Sequence, residues 1–133
     1  MKARHEGPLQ AYRLGQALAS LTARGFLLIG SGNLTHNLAD FMTVSRSGDQ
    51  TPEYVRRFSA WVAKPLAQHD LAALLNYRQQ APDAVQAHPT DEYLLPLIVA
   101  LGTADPNPQV DRFHVGIDHY VISMDAYAFS AIN

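Results

Sequence analysis

Apolar positions recur along this chain in three rhythms. From Pro8 onward, Leu9, Tyr12, Leu14, Ala17, Leu18 and Leu21 return near the helical period, with Pro8 suited to a first turn and Gly25 to a helix end. Phe26-Leu27-Leu28-Ile29 is instead a continuous apolar run. It reads as a buried strand, and Gly30-Ser31-Gly32 after it as a tight turn. A short helix is predicted over 34–42, and Ser45 to Gln50 has the composition of a loop. Thr51-Pro52-Glu53 predicts a helix start, with the Thr51 hydroxyl as cap and Tyr54, Val55, Phe58, Trp61, Val62 and Leu66 on one face. Pro65 is expected to kink or end that helix.

Asp70 is a cap for a helix carrying Leu71, Leu74, Leu75 and Tyr77, which Ala81-Pro82 closes. Thr90 is the expected cap of a helix from Asp91 to Leu101 that stops at Gly102, and Asp105 to Pro108 reads as a loop. The tail has β-rich runs at Phe113–Ile117 and Tyr120–Ile122, predicting two strands. Strands before and after helices argue an α/β layer. Three strands are few for a stable sheet, so the pattern predicts a partial sheet completed by more chain or by association.

Composition narrows the chemistry. The 133 residues suffice for one domain with a real core, and 47% hydrophobic with 17% charged residues is ordinary for a globular protein. A formal net charge of −2 with scattered basic residues gives no footprint for nucleic acid or an anionic membrane. No apolar run approaches a membrane span, and the polar start is not followed by a signal-type segment, so a cytoplasmic location is expected. Cysteine is absent, which excludes disulfides and thiolate metal sites and leaves His, Asp, Glu or Tyr as donors.

Six histidines are present. His5 lies in the polar terminus, His69 sits at a helix junction, and His114 and His119 read as solvent-facing strand positions. His36 differs: it follows a strand end, where α/β folds place ligands, and Thr35 and Asn37 can fix its ring. His88 precedes Pro89, which favours an extended backbone. Asp91 and Glu92 fit a first helical turn as ordinary helix chemistry, or alternatively bring Glu92 or Tyr93 across a pocket from His36. Spacing alone does not choose between these.

Four segments in order resemble the class III, 4,5-DOPA-type extradiol ring-opening dioxygenases. Tyr12 to Leu18 is similar to the family helix before the central strand, and Gly30-Ser31-Gly32 with Thr35 to Leu38 to its catalytic-histidine motif. His88 to Leu97 with Val99 to Gly102 resembles the late helix motif, and Ile122 to Phe129 the C-terminal strand. The resemblance implies an α/β fold with a partial mixed β-sheet flanked by helices, residues 1–133 forming one domain that is the C-terminal portion of the family fold. It implies His36 as the catalytic histidine and a metal-pocket residue, Glu92 as an added oxygen donor to the metal, and Tyr93, Thr35 and Asn37 as substrate-binding residues. The implied cofactor is Fe(II) or Zn(II), or none in this chain alone, and the implied ligand an aromatic diol.

The departures from the family pattern carry equal weight. The two early histidine loops of the family have no counterpart here. The late motif usually ends Glu-His, and here that histidine is Tyr93. Tyrosine is a poor ligand for a divalent metal unless ionised, which is costly near neutral pH. Three strong ligands are the usual minimum for a catalytic metal. The expectations are therefore an extradiol dioxygenase portion inactive alone, a subunit whose site another chain completes, or a non-catalytic oligomeric binding or assembly module. An apolar face left by a missing half would favour a homo-oligomer, most simply a dimer, through Phe26–Ile29 or the tail strands.

Overall fold

The computed structural model describes residues 7–47, 50–104 and 106–131. Helix α1 spans Pro8–Ala23, with proline in its first turn. It ends as predicted at Gly25, whose φ of 89° lets the Gly25 and Phe26 amides turn back onto the Thr22 and Leu21 carbonyls. α1 lies against α7 (Leu95–Thr103) through glycines on both sides. A Cβ on Gly15 would stand 2.1 Å from the Val99 carbonyl oxygen, and one on Gly102 would stand 2.4 Å from that of Tyr12.

α2 spans Leu38–Ser47, later than the predicted 34–42, and takes in part of the predicted loop. Asn37 sets this start: its side-chain oxygen accepts from the Asp40 amide at 3.0 Å. Gly48 and Asp49 of that loop lie outside the described residues. α3 spans Glu53–Gln68 and buries Tyr54, Val55, Phe58, Val62 and Leu66, with Trp61 packed beside them. Thr51 is not its cap. Pro52 holds the N-cap position without a side-chain bond, and Pro65 sits within the last helical turns without ending them.

Asp70 caps α4 (Leu71–Leu75) as expected, accepting from the Ala73 amide at 3.1 Å. Asn76 then separates α4 from α5 (Tyr77–Gln80), and the short α6 (Ala84–Ala87) follows. The predicted helix over 91–101 begins late, at Leu95. Residues 91–94 form a turn instead, in which the Leu94 and Leu95 amides donate to the Asp91 carbonyl, and Thr90 caps nothing. Pro96 in the first turn of α7 accounts for this, because its missing N–H is tolerated only there.

The tail carries four short strands, not two. β1 (Gln109–His114) pairs antiparallel with β4 (Ala126–Ser130), and the register shifts between Arg112 and His114. β2 (Ile117–Asp118) and β3 (Ile122–Ser123) form a second antiparallel pair. An ion pair from Arg112 to the buried Asp125 ties β1 to the turn before β4. The fold is thus α/β, with small antiparallel sheets flanked by helices.

The expected buried strand at Phe26–Ile29 is the main correction. It joins no sheet among the described residues, and Phe26, Leu27 and Ile29 are 55%, 83% and 80% exposed. Its apolar sequence suits a strand covered on both faces, and the described residues supply no neighbouring strand.

Candidate functional site

Residues 33 to 37 are fixed one after another. The Asn33 amide donates to the Tyr93 carbonyl at 3.0 Å, the Leu34 amide to Ser123 at 3.1 Å and the His36 amide to Ala87 at 2.8 Å. The Thr35 hydroxyl donates to the Val121 carbonyl and accepts from the Ser123 amide, both at 2.8 Å and both fully buried. The Asn37 amide nitrogen donates to the Gln86 carbonyl at 2.8 Å. Thr35 and Asn37, expected to touch substrate, are thus placed in the frame that aims His36. Their polar atoms bond backbone.

His36 is brought against Tyr93. The rings stack with centroids 3.6 Å apart and planes 13° from parallel. Glu92 is exposed beside them. Tyr93, with Asn33 and Leu34, lines a cavity of about 580 Å³ whose walls are residues 27–34 and 125–129 and whose floor is Leu94, Leu97, Ala100 and Thr103. His36 does not line this cavity itself. Its link to it is the stacked Tyr93 ring.

The burial of His88 is what the sequence reading did not foresee. The residue is extended before Pro89 as expected, with φ −137° and ψ 89°, but it is also completely buried. Its Nε2 donates to the Leu34 carbonyl at 2.6 Å, which leaves Nδ1 deprotonated and without a partner. Phe58 and Tyr77 pack against it in T-shaped geometry, and Arg78 donates to its carbonyl at 2.9 Å. Burial pushes the imidazole down to about 4, against the Leu34 carbonyl, which favours the charged ring. Its sequence signals were Pro89 after it and its place at the head of the His88–Leu97 motif. Among the other histidines, His69, His114 and His119 are exposed as expected, and His5 lies outside the described residues.

The metal implied by the resemblance can be tested against these donors. Among the described residues no group of three or more His, Cys, Asp or Glu side chains is arranged to hold an ion. His36 faces an aromatic ring, and His88 already spends Nε2 on the backbone. These residues do not by themselves fit a catalytic iron or zinc. No helix among the described residues is long and apolar enough to cross a membrane.

The chain is 33% identical over 120 residues to the 4,5-DOPA dioxygenase extradiol of Beta vulgaris, an alignment covering 90% of this chain and 44% of that protein. Identity is 32% over 121 residues to the enzyme of the same name from Escherichia coli K12, covering 85% of this chain and 42% of that one. The crystal structure of an uncharacterized protein from Escherichia coli K12 matches with a TM-score of 0.75 and 29% identity, over 92% of this chain and 50% of the other. The chain therefore spans about half the length, or less, of the relatives it matches. The family model described as the catalytic LigB subunit of aromatic ring-opening dioxygenase matches residues 5–130, nearly the whole sequence. With the His36 motif, the late motif and the tail strand held in one frame, the chain belongs to the LigB family of aromatic ring-opening dioxygenases.

Proposed function

We propose that this chain supplies one wall of an extradiol-type pocket for an aromatic diol and does not open rings with the described residues alone. The observation that supports this reading is the His36–Tyr93 stack at 3.6 Å, which brings together the two segments that resemble the family's histidine and late-helix motifs. An imidazole there is suited to accept a proton from a catechol hydroxyl. Since His36 covers one face of Tyr93, the diol would sit at the shared edge of the two rings, with Glu92 an oxygen donor at the rim. Two donors, His36 and Glu92, fall short of three, so the remaining ligands would come from other polypeptide.

A second reading is a non-catalytic binding or assembly module. It is favoured by His36 resting on an aromatic ring instead of being oriented by a carboxylate. Anaerobic loading with ferrous iron, followed by oxygen uptake with catechol and with DOPA, separates the readings. The expected result is weak, substoichiometric iron, no oxygen uptake, and catechol binding that weakens at least about tenfold in Tyr93→Ala. Stoichiometric iron that is lost in His36→Ala, together with oxygen uptake, would sink the claim that the site is incomplete. Catechol binding untouched by Tyr93→Ala would leave only the module.

A further inference from the structure

The turn that joins β2 to β3 is built from residues ill suited to its backbone. His119 and Tyr120 both hold positive φ, at 49° and 67°. That region is open to glycine and unfavourable for a bulky side chain. The Val121 amide donates to the His119 carbonyl at 2.8 Å, so the bond closes over Tyr120 alone. This is a γ-turn with a positive central φ, the rare and strained form of that turn.

Packing does not account for the choice of residue. Tyr120 is 39% exposed, and among the described residues its ring meets no other ring and its hydroxyl makes no hydrogen bond. Glycine or asparagine would close the same turn with less strain. Strain that the fold itself does not require points to a side chain held for something outside the fold.

Two contacts fix where the turn lies. The carbonyl of Val121, the residue after Tyr120, accepts from the hydroxyl of Thr35, the residue before His36, at 2.8 Å. The His119 ring meets Phe41 at 5.3 Å, on the helix that starts two residues after His36. The turn is thus fastened to the chain on both sides of His36. His119 is itself held, with Nδ1 2.9 Å from an Asp118 carboxylate oxygen. Of the two strained side chains, Tyr120 is the one left without a partner among the described residues.

We propose that Tyr120 is a further binding residue of the diol site, held in strain beside the His36 segment so that its ring packs on a bound aromatic diol. The inference rests on the reading that a diol binds at the His36–Tyr93 pair. Tyr120 adds ring contact to that site and moves no proton.

Catechol titration calorimetry and urea unfolding test this, run in parallel on the unaltered chain, Tyr93→Ala, Tyr120→Gly and Tyr120→Phe. Glycine relieves the positive φ. Tyr120→Gly should therefore unfold at the same or a higher urea concentration, while catechol binds at least about fivefold more weakly. Tyr120→Phe keeps both ring and strain and should hold catechol within about twofold of the unaltered chain. A lowered urea midpoint in Tyr120→Gly would mark a residue that serves the fold and would overturn the proposal, whatever the affinity. A loss in Tyr120→Phe as large as in Tyr120→Gly would overturn the ring contact. If Tyr93→Ala weakens binding and Tyr120→Gly does not, the diol reading stands and this inference alone fails. If the unaltered chain binds no catechol, both fail together.

Discussion

Phe26–Gly32 and Asn33–Asn37 are neighbours in the chain and opposites in the fold. The first is apolar and lies open, with Ile29 80% exposed. The second is polar and bound at every residue, with Thr35 fully buried between Val121 and Ser123. Hydrophobicity would order them the other way. What separates them is partners: the polar run finds backbone from β3, α6 and the turn at Tyr93, whereas the apolar run has a floor of α7 on one side and, among the described residues, no strand beside it. Burial here follows the supply of complementary groups, and an apolar run without them stays exposed.

The largest effect expected is at Thr35. Thr35→Val keeps the shape but strips both bonds, leaving a Ser123 N–H and a Val121 C=O buried. Each orphan costs about 1–3 kcal/mol, so urea denaturation should show a loss of about 4 kcal/mol. Leu27→Thr, in the neighbouring run, should change stability by less than about 0.5 kcal/mol when measured in dilute solution. Similar losses at the two positions would erase the contrast between the runs.

His88 ties the polar run to the core and should make it acid-sensitive. The folded ring titrates near 4, and the unfolded ring near its ordinary 6.5. Below pH 6.5 the unfolded chain takes up a proton that the folded chain refuses, so stability falls as pH drops from 6.5 towards 4. The full loss is about 3 kcal/mol at roughly 1.4 kcal/mol per unit. Urea midpoints measured at pH 7 and pH 4.5 check this, and His88→Gln should flatten the difference. An unchanged pH slope in that variant would show that His88 is not its source.

Much of this frame was legible in the sequence. Gly25 as a helix end, Asp70 as a cap and the buried face of α3 each depend on residues within a few positions of one another, and local chemistry decided them. Thr90, Thr51 and the two-strand tail were misread because a proline or a long-range pairing overrode the local signal. Pro96 moved the start of α7, and the Gln109–His114 strand is held by a partner more than ten residues away. His36 was found because it stands in a motif. Its stacking on Tyr93 and the burial of His88 involve residues more than fifty positions distant, which no local pattern encodes.

Two glycines test whether the exposed run is held less firmly than the helical core. Gly15 sits where α1 meets α7, and its absent Cβ would reach the Val99 carbonyl from inside a paired helix interface. An alanine there must push two packed helices apart, which should cost about 2–3 kcal/mol by thermal or urea unfolding. Gly30 makes an equally close approach to the Pro96 carbonyl, but among the described residues the run that carries it has no backbone bonds. An alanine at 30 can be accommodated by lifting residues 27–32 away from α7, at about 1 kcal/mol or less. If Gly30→Ala costs as much as Gly15→Ala, the run is clamped to α7 along its length, and its exposure reflects a rigid surface, not a missing layer.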